Sequence, residues 1–143
     1  MDKRGTVEKW FKEVWAEEKE HVILELFVPD NEGLAHGMAK DKGMKPEDYI
    51  GFHRALLGLL KNVRIKIDHF HESGDTAIAE CTMTGEGRTS GTPVSIKGCA
   101  IAEITDGKIR SANNYFDFLK LFEELELLPE DTFAKCLSGV SLR

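Results

Sequence analysis

The sequence predicts an α+β domain with an antiparallel sheet. Three observations carry this. Amphipathic helix patterns fill the N-terminal part of the chain. Four alternating, turn-bounded strand patterns follow. A last helix pattern then begins where the final strand ends, at Asp117. Helices placed ahead of a run of hairpin-joined strands belong to that class. With no internal repeat or low-complexity segment, the 143 residues read as one domain spanning 1–143, with 130–143 as a C-terminal tail.

Val7, Trp10, Phe11, Val14 and Trp15 form one apolar helix stripe, with Lys and Glu opposite. Val22, Ile23, Leu26 and Phe27 continue as a second short helix after a bend at Glu17 to Glu20. Pro29-Asp30-Asn31 ends it. Leu34 to Gly37 reads as a short strand, and Ala39 to Lys45 as a polar loop. Pro46 suits a first helical turn, with Glu47 and Asp48 favourable at its positive end. This helix runs to about Lys61 and buries Tyr49, Phe52, His53, Leu56, Leu57 and Leu60.

The strands are read by their alternation. Val63, Ile65 and Ile67 alternate with Arg64, Lys66 and Asp68. Ser73-Gly74-Asp75 turns the chain into Thr76 to Thr84, with Gly85 to Thr92 as a ragged end. Pro93 to Ile104 is the third strand. Asp106-Gly107 is a hairpin signal, since a tight type I′ turn needs positive φ, and Lys108 to Phe116 is the fourth strand. Asp117 then offers an N-cap to a helix carrying Phe118, Leu121, Phe122, Leu125 and Leu128. Glu130 to Arg143 shows no strong pattern.

Composition narrows the function classes. The net charge is −6 and no Lys/Arg cluster stands out, which argues against nucleic acid. No apolar run reaches the length of a membrane span, and the N-terminus lacks a signal-peptide core. Three cysteines without paired spacing fit a reduced, cytoplasmic protein, with Cys81 and Cys99 as small strand residues. No Gly-rich phosphate loop and no Ser/His/Asp nucleophile set appears. His69 and His71 lie two apart on a strand, but nothing supplies a third ligand at metal-site spacing, so no metal is expected.

The run from Asp106-Gly107-Lys108-Ile109 through Asn114-Tyr115-Phe116-Asp117, with Leu127-Leu128-Pro129 beyond it, resembles the C-terminal signature of SnoaL-like polyketide cyclases. These lie within the nuclear-transport-factor-two-like superfamily, with limonene epoxide hydrolase and ketosteroid isomerase as relatives. The resemblance covers roughly Val7 to Pro129. It implies a cone: a curved antiparallel sheet wrapped around helices and enclosing a cavity. It also implies a homodimer joined through the outer sheet face, where Glu80 and Glu103 are expected. Strands with apolar residues on both faces agree with that.

The resemblance assigns candidate residues. Where limonene epoxide hydrolase reads Trp-Arg-Asp-Tyr-Phe-Asp, this chain reads Ala112-Asn113-Asn114-Tyr115-Phe116-Asp117. The first Asp of that motif is an acid/base in several relatives. An amide cannot abstract a proton and only donates and accepts hydrogen bonds. Asn114 therefore either orients a ligand carbonyl or satisfies neighbouring backbone. Along the strand it shares a face with Ala112 and Phe116, which places it inward. Asp117 is either a helix N-cap or a carboxylate at the cavity rim. His36 stands where the family often carries a cavity-facing His; it is a base or a structural residue. His53 points inward by periodicity, as a base or as a core histidine bonded to a carbonyl. Tyr115 alternates away from Asn114. The cone's expected wall includes Tyr49, Phe52, Cys81, Ala100, Ala112 and Phe116.

The implied ligand is a small, largely apolar, carbonyl-bearing molecule. The implied activity is proton abstraction next to a carbonyl, followed by aldol closure or isomerisation. It requires no metal or organic cofactor, because the substrate's own carbonyl stabilises the enolate. The alternative is a non-catalytic binding module with the same cavity. A third reading is an oligomerisation domain with a filled cone.

Overall fold

Asp2 opens the first helix by accepting from the Gly5 N–H at 2.7 Å, which satisfies one of the donors a helix N-terminus leaves free. The computed structural model describes residues 1–28, 33–36 and 45–143, and for 33–36 the backbone alone. The turn expected at Pro29 to Asn31 and nearly all of the loop at Ala39 to Lys45 lie outside the described residues.

Helix α1 (Lys3–Lys9) runs directly into a π-helix (Trp10–Ala16). The expected stripe from Val7 to Trp15 is buried throughout, but its second half is wound as a π-helix rather than an α-helix. At 3.6 residues per turn, positions five apart stand about 140° from each other around an α-helix. The wider π-turn, with its i→i+5 hydrogen bonds, brings the fifth residue back to nearly the same side. The Glu17 N–H accordingly donates to the Lys12 carbonyl at 2.8 Å. Trp10, Phe11, Val14 and Trp15 are all buried, as the apolar stripe predicts.

Helix α2 (His21–Leu26) and strand β1 (Gly33–His36) follow. Helix α3 (Pro46–Leu59) begins with Pro46, and Asp48 accepts from the Lys45 N–H at 3.2 Å. It stops at Leu59, short of Lys61, because a distant side chain caps it. Arg88 donates to the Leu57 carbonyl and, at 3.1 Å, to the Leu60 carbonyl, while reaching Glu18 at 2.9 Å. With the Arg88 backbone N–H donating to the Leu59 carbonyl at 2.8 Å, three carbonyls at the helix end are satisfied, and the chain turns straight into a strand.

Strands β2 (Leu60–Ser73), β3 (Thr76–Gly87), β4 (Pro93–Thr105) and β5 (Lys108–Phe116) pair antiparallel in sequence order. β1 adds to the far side of β5 in parallel, giving the order β1-β5-β4-β3-β2. Asp106 and Gly107 have φ of 53° and 73°, the two positive angles of the I′ turn their sequence predicts. A bulge after Ile67 leaves Asp68 unpaired. His69 and His71 therefore pair with Glu80 and Ile78 of the outer face, and Phe70 with Ala79 of the inner one.

The inner face is apolar: Ala77, Ala79, Cys81 and Met83 of β3 and Val94, Ile96, Ala102 and Ile104 of β4 are all buried. Glu80 and Glu103 are exposed on the outer face. The helices cover the inner face, so the fold is the α+β cone. Helix α4 (Phe118–Glu124) ends before Leu128, where Glu126 turns left-handed at φ 62°. A further helix, α5 (Thr132–Leu137), lies in the patternless C-terminal stretch. Among the described residues no helix is long and apolar enough to cross a membrane.

Candidate functional site

The inside of the cone is an aromatic cavity built from every layer of the fold. The first helical stretch contributes Trp10, Phe11 and Trp15, and α3 contributes Tyr49, Phe52 and Leu56. From the sheet come Ile65, Met83, Asn114 and Phe116, and Phe118 closes the ring from the start of α4. Trp15, Phe52 and Phe118 pack edge to face, as ring quadrupoles favour, while Trp10, Tyr49 and Phe116 also make tilted contacts. Trp15 meets Phe52 at 6.0 Å and 74°, and Phe52 meets Phe118 at 6.1 Å and 84°. The volume left is about 30 Å³, enough for roughly one water. A ligand of useful size must therefore part this wall.

No carboxylate, imidazole, ammonium or guanidinium belongs to the wall among the described residues. Its one titratable group is Tyr49. Burial pushes the Tyr49 phenol above its ordinary value, while the indoles of Trp15 and Trp10, both donors only, pull the other way from beside its oxygen. The π-helix makes this convergence possible. The two indoles lie 6.3 and 5.2 Å from the Tyr49 ring although they are five residues apart in sequence.

Asn114 lies in the wall, half-buried, on the same face as Phe116 and directly across from Ala100. Among the described residues its side chain has no hydrogen-bond partner. Nor is it one of the polar side chains sealed away from space without a partner, as Asn113 Oδ1 is. Its amide is therefore open to the cavity and unengaged by any described residue.

The remaining candidates take up different places. Asp117 caps α4, accepting from the Lys120 N–H at 3.1 Å. His53 is buried, and its Nε2 donates to the Val14 carbonyl at 2.7 Å. Its ring packs edge-on against Trp15 at 4.8 Å, outside the cavity wall. The side chain of His36 lies outside the described residues, although its backbone pairs with Asn113 in the β1–β5 ladder. Tyr49, Phe52 and Phe116 line the cavity. Cys81, Ala100 and Ala112 are on the inner face but not in the wall. The Cys81 thiol donates to the Ala79 carbonyl at 3.4 Å. Trp10, Phe11, Trp15, Ile65 and Met83 are wall residues that periodicity marks only as buried. His69 and His71 stand on the outer face, and no metal-holding group of three His, Cys, Asp or Glu side chains exists among the described residues.

The fold has many solved counterparts. TsrD from Streptomyces laurentii superposes with a TM-score of 0.71 at 20% identity, over 90% of this chain and 99% of that one. A SnoaL-like protein from Jannaschia sp. CCS1 gives 0.72 at 19% identity, over 88% and 92%. An LEH-like epoxide hydrolase from M. tuberculosis gives 0.65 at 18% identity, over 85% and 83%. At such identities the likeness shows the fold alone. No curated protein sequence matches the chain. The sequence profile of the SnoaL-like domain, however, matches residues 7–112, well over half of the chain and every element from the first helix to the middle of β5, and the protein therefore belongs to the SnoaL-like family.

Proposed function

We propose that the cone binds a small, largely apolar molecule bearing a carbonyl group, and that the Asn114 amide is its hydrogen-bond anchor. The observation behind this is a free amide in an aromatic wall. Pockets of this kind take their affinity from apolar surface and their orientation from a few placed polar groups. Asn114 is half-buried and no described residue occupies its amide, so a ligand carbonyl gains a hydrogen bond there without displacing one.

The test uses the two tryptophans of the chain, Trp10 and Trp15, both of which lie in the wall. Their fluorescence is therefore expected to change when this cavity is occupied. Butyrophenone is expected to quench it at lower concentration than butylbenzene, and Asn114→Leu is expected to erase the difference. Equal binding of both probes by the wild type would refute the anchor.

Family membership favours a second reading, catalysis without a cofactor. A base would remove the proton next to the ligand carbonyl, and the electron pair would pass to oxygen as an enolate. The Asn114 N–H would stabilise that oxygen. The enolate carbon would then attack a second carbonyl of the same molecule, and the proton would return to the new alkoxide. The described wall lacks a base, and His53 is committed to Val14. His36, whose backbone adjoins Asn113, is the candidate. Deuterium uptake next to the butyrophenone carbonyl, followed by NMR, should be catalysed by the wild type and lost in His36→Ala. No uptake with the wild type would leave the binding module as the function.

The same reading includes a homodimer through the outer sheet face, where Ile78, Cys99 and Ile101 are only half-buried and Tyr115 is exposed. Sedimentation at micromolar concentration should give twice 16.0 kDa. A monomer mass would contradict it.

A further inference from the structure

A second, larger hollow lies against the first. It is an open groove of about 470 Å³ between the first helical stretch and strand β2. Phe11 and Ile65 line both the groove and the aromatic cavity, so these two side chains form the partition between them. The cavity behind is too small for a ligand as it stands. Parting these two side chains would join it to the groove.

The groove differs in charge from the rest of the molecule. The protein carries −6 overall, yet the groove is lined by four cations, Arg4, Lys12, Arg64 and Lys66, against two carboxylates, Glu8 and Glu17. Both carboxylates have close partners. Glu8 is bound by Arg4 at 2.8 Å and Glu17 by Lys19 at 2.9 Å. Glu17 also feels Lys12 and Arg64 at longer range. Lys66 leans toward Asp68 at 3.9 Å. Lys12 and Arg64 are in no ion pair among the described residues. Among the described residues the Arg64 Nη1 donates only to the neighbouring Val63 carbonyl, at 2.8 Å.

We infer that the groove is a subsite for a carboxylate carried on the ligand's tail. The aromatic or apolar head lies in the cavity and the tail passes between Phe11 and Ile65. Lys12 and Arg64 receive the carboxylate. This rests on the reading of the cavity as a ligand site and adds the chemical class of the ligand's far end. Exposed charge pairs are individually weak, so two such contacts amount to about fivefold in affinity at low salt.

The probes are γ-benzoylbutyrate and its neutral amide, followed by quenching of Trp10 and Trp15. The wild type should bind the carboxylate about fivefold more tightly, and added salt should shrink that preference. The double variant Lys12→Ala/Arg64→Ala should bind the two alike, with affinity for the amide unchanged. Both substitutions are on exposed side chains, so folding is preserved. Equal affinities in the wild type, or a preference that survives the double variant, would overturn the groove while leaving the cavity standing. Quenching by neither probe would sink the cavity reading and this inference together.

Discussion

Asn114 stands directly across from Ala100 in the β4–β5 ladder. The small partner leaves the space above the amide to the aromatic rings and to whatever enters the cavity. Asn114 is thus the place where the wall can make a directed polar contact with a neutral ligand. Replacing it with Asp would put a carboxyl in an apolar wall, where burial raises its pKa. The unfolded chain would then lose that proton first as pH rises. Stability of Asn114→Asp relative to wild type should fall upward from about pH 4. Thermal unfolding across pH 4 to 7, roughly the range over which such a carboxyl titrates, reads this. A constant difference would mean that the side chain is solvated rather than in the wall.

A neighbouring pair tests how tightly the cavity is built. Gly98 lies opposite Phe116, and a Cβ on Gly98 would stand 2.1 Å from one ring carbon and 2.4 Å from another. A third ring carbon would stand 2.6 Å away, so the Phe116 ring would have to move. Gly98→Ala should cost about 1–3 kcal/mol, as overpacking does. It should also shift the emission of Trp10 and Trp15. An unaltered melting temperature would refute the close packing.

Asp117 gives a cleaner separation of roles. As a cap accepting from the Lys120 N–H, it should tolerate Asn, and Ala should cost about 1 kcal/mol. Thermal melts of the two variants decide this. Loss of ligand binding in Asp117→Asn at unchanged stability would instead make it a rim carboxylate.

Alkali should unfold the protein for two reasons of the same sign. Burial pushes the Cys81 thiol up to about 12, with Cys99 and Asp68 adding, and burial likewise raises Tyr49. In each case the unfolded chain gives up its proton first, so native stability is full at neutral pH. It falls once pH passes the ordinary thiol value of about 8.5, and further beyond the phenol value of about 10. Iodoacetamide at pH ~8 should label exposed Cys136 first and Cys81 only after denaturant is added, since the thiolate is the nucleophile. Early labelling of Cys81 would contradict the packing of the inner face.

Much of this was legible in the chain. Alternation identified the inner and outer faces of β3, β4 and β5, and so put Asn114 inward. What alternation cannot convey is depth along a face. Cys81, Ala100 and Ala112 share the face of Asn114 but stand away from the cavity wall. The π-helix was hidden because Trp10, Phe11, Val14 and Trp15 also satisfy an ordinary helix stripe. The end of α3 at Leu59 depends on Arg88, which lies far along the chain. The groove is likewise a product of tertiary packing. Phe11 and Ile65 each look like ordinary core residues, and only the docking of the first helices on β2 makes them a shared wall. His36 pointed to the cavity by resemblance alone, and its side chain lies outside the described residues.

The side-chain amide of Asn114 can be watched directly. Its N–H pair is assigned in the nitrogen–proton NMR spectrum by its absence from Asn114→Leu. Titration with butyrophenone should move that pair downfield as Trp10 and Trp15 are quenched, and butylbenzene should quench without moving it. Quenching by butyrophenone with the Asn114 pair left in place would contradict the account, because the cavity would then be filled without using its anchor.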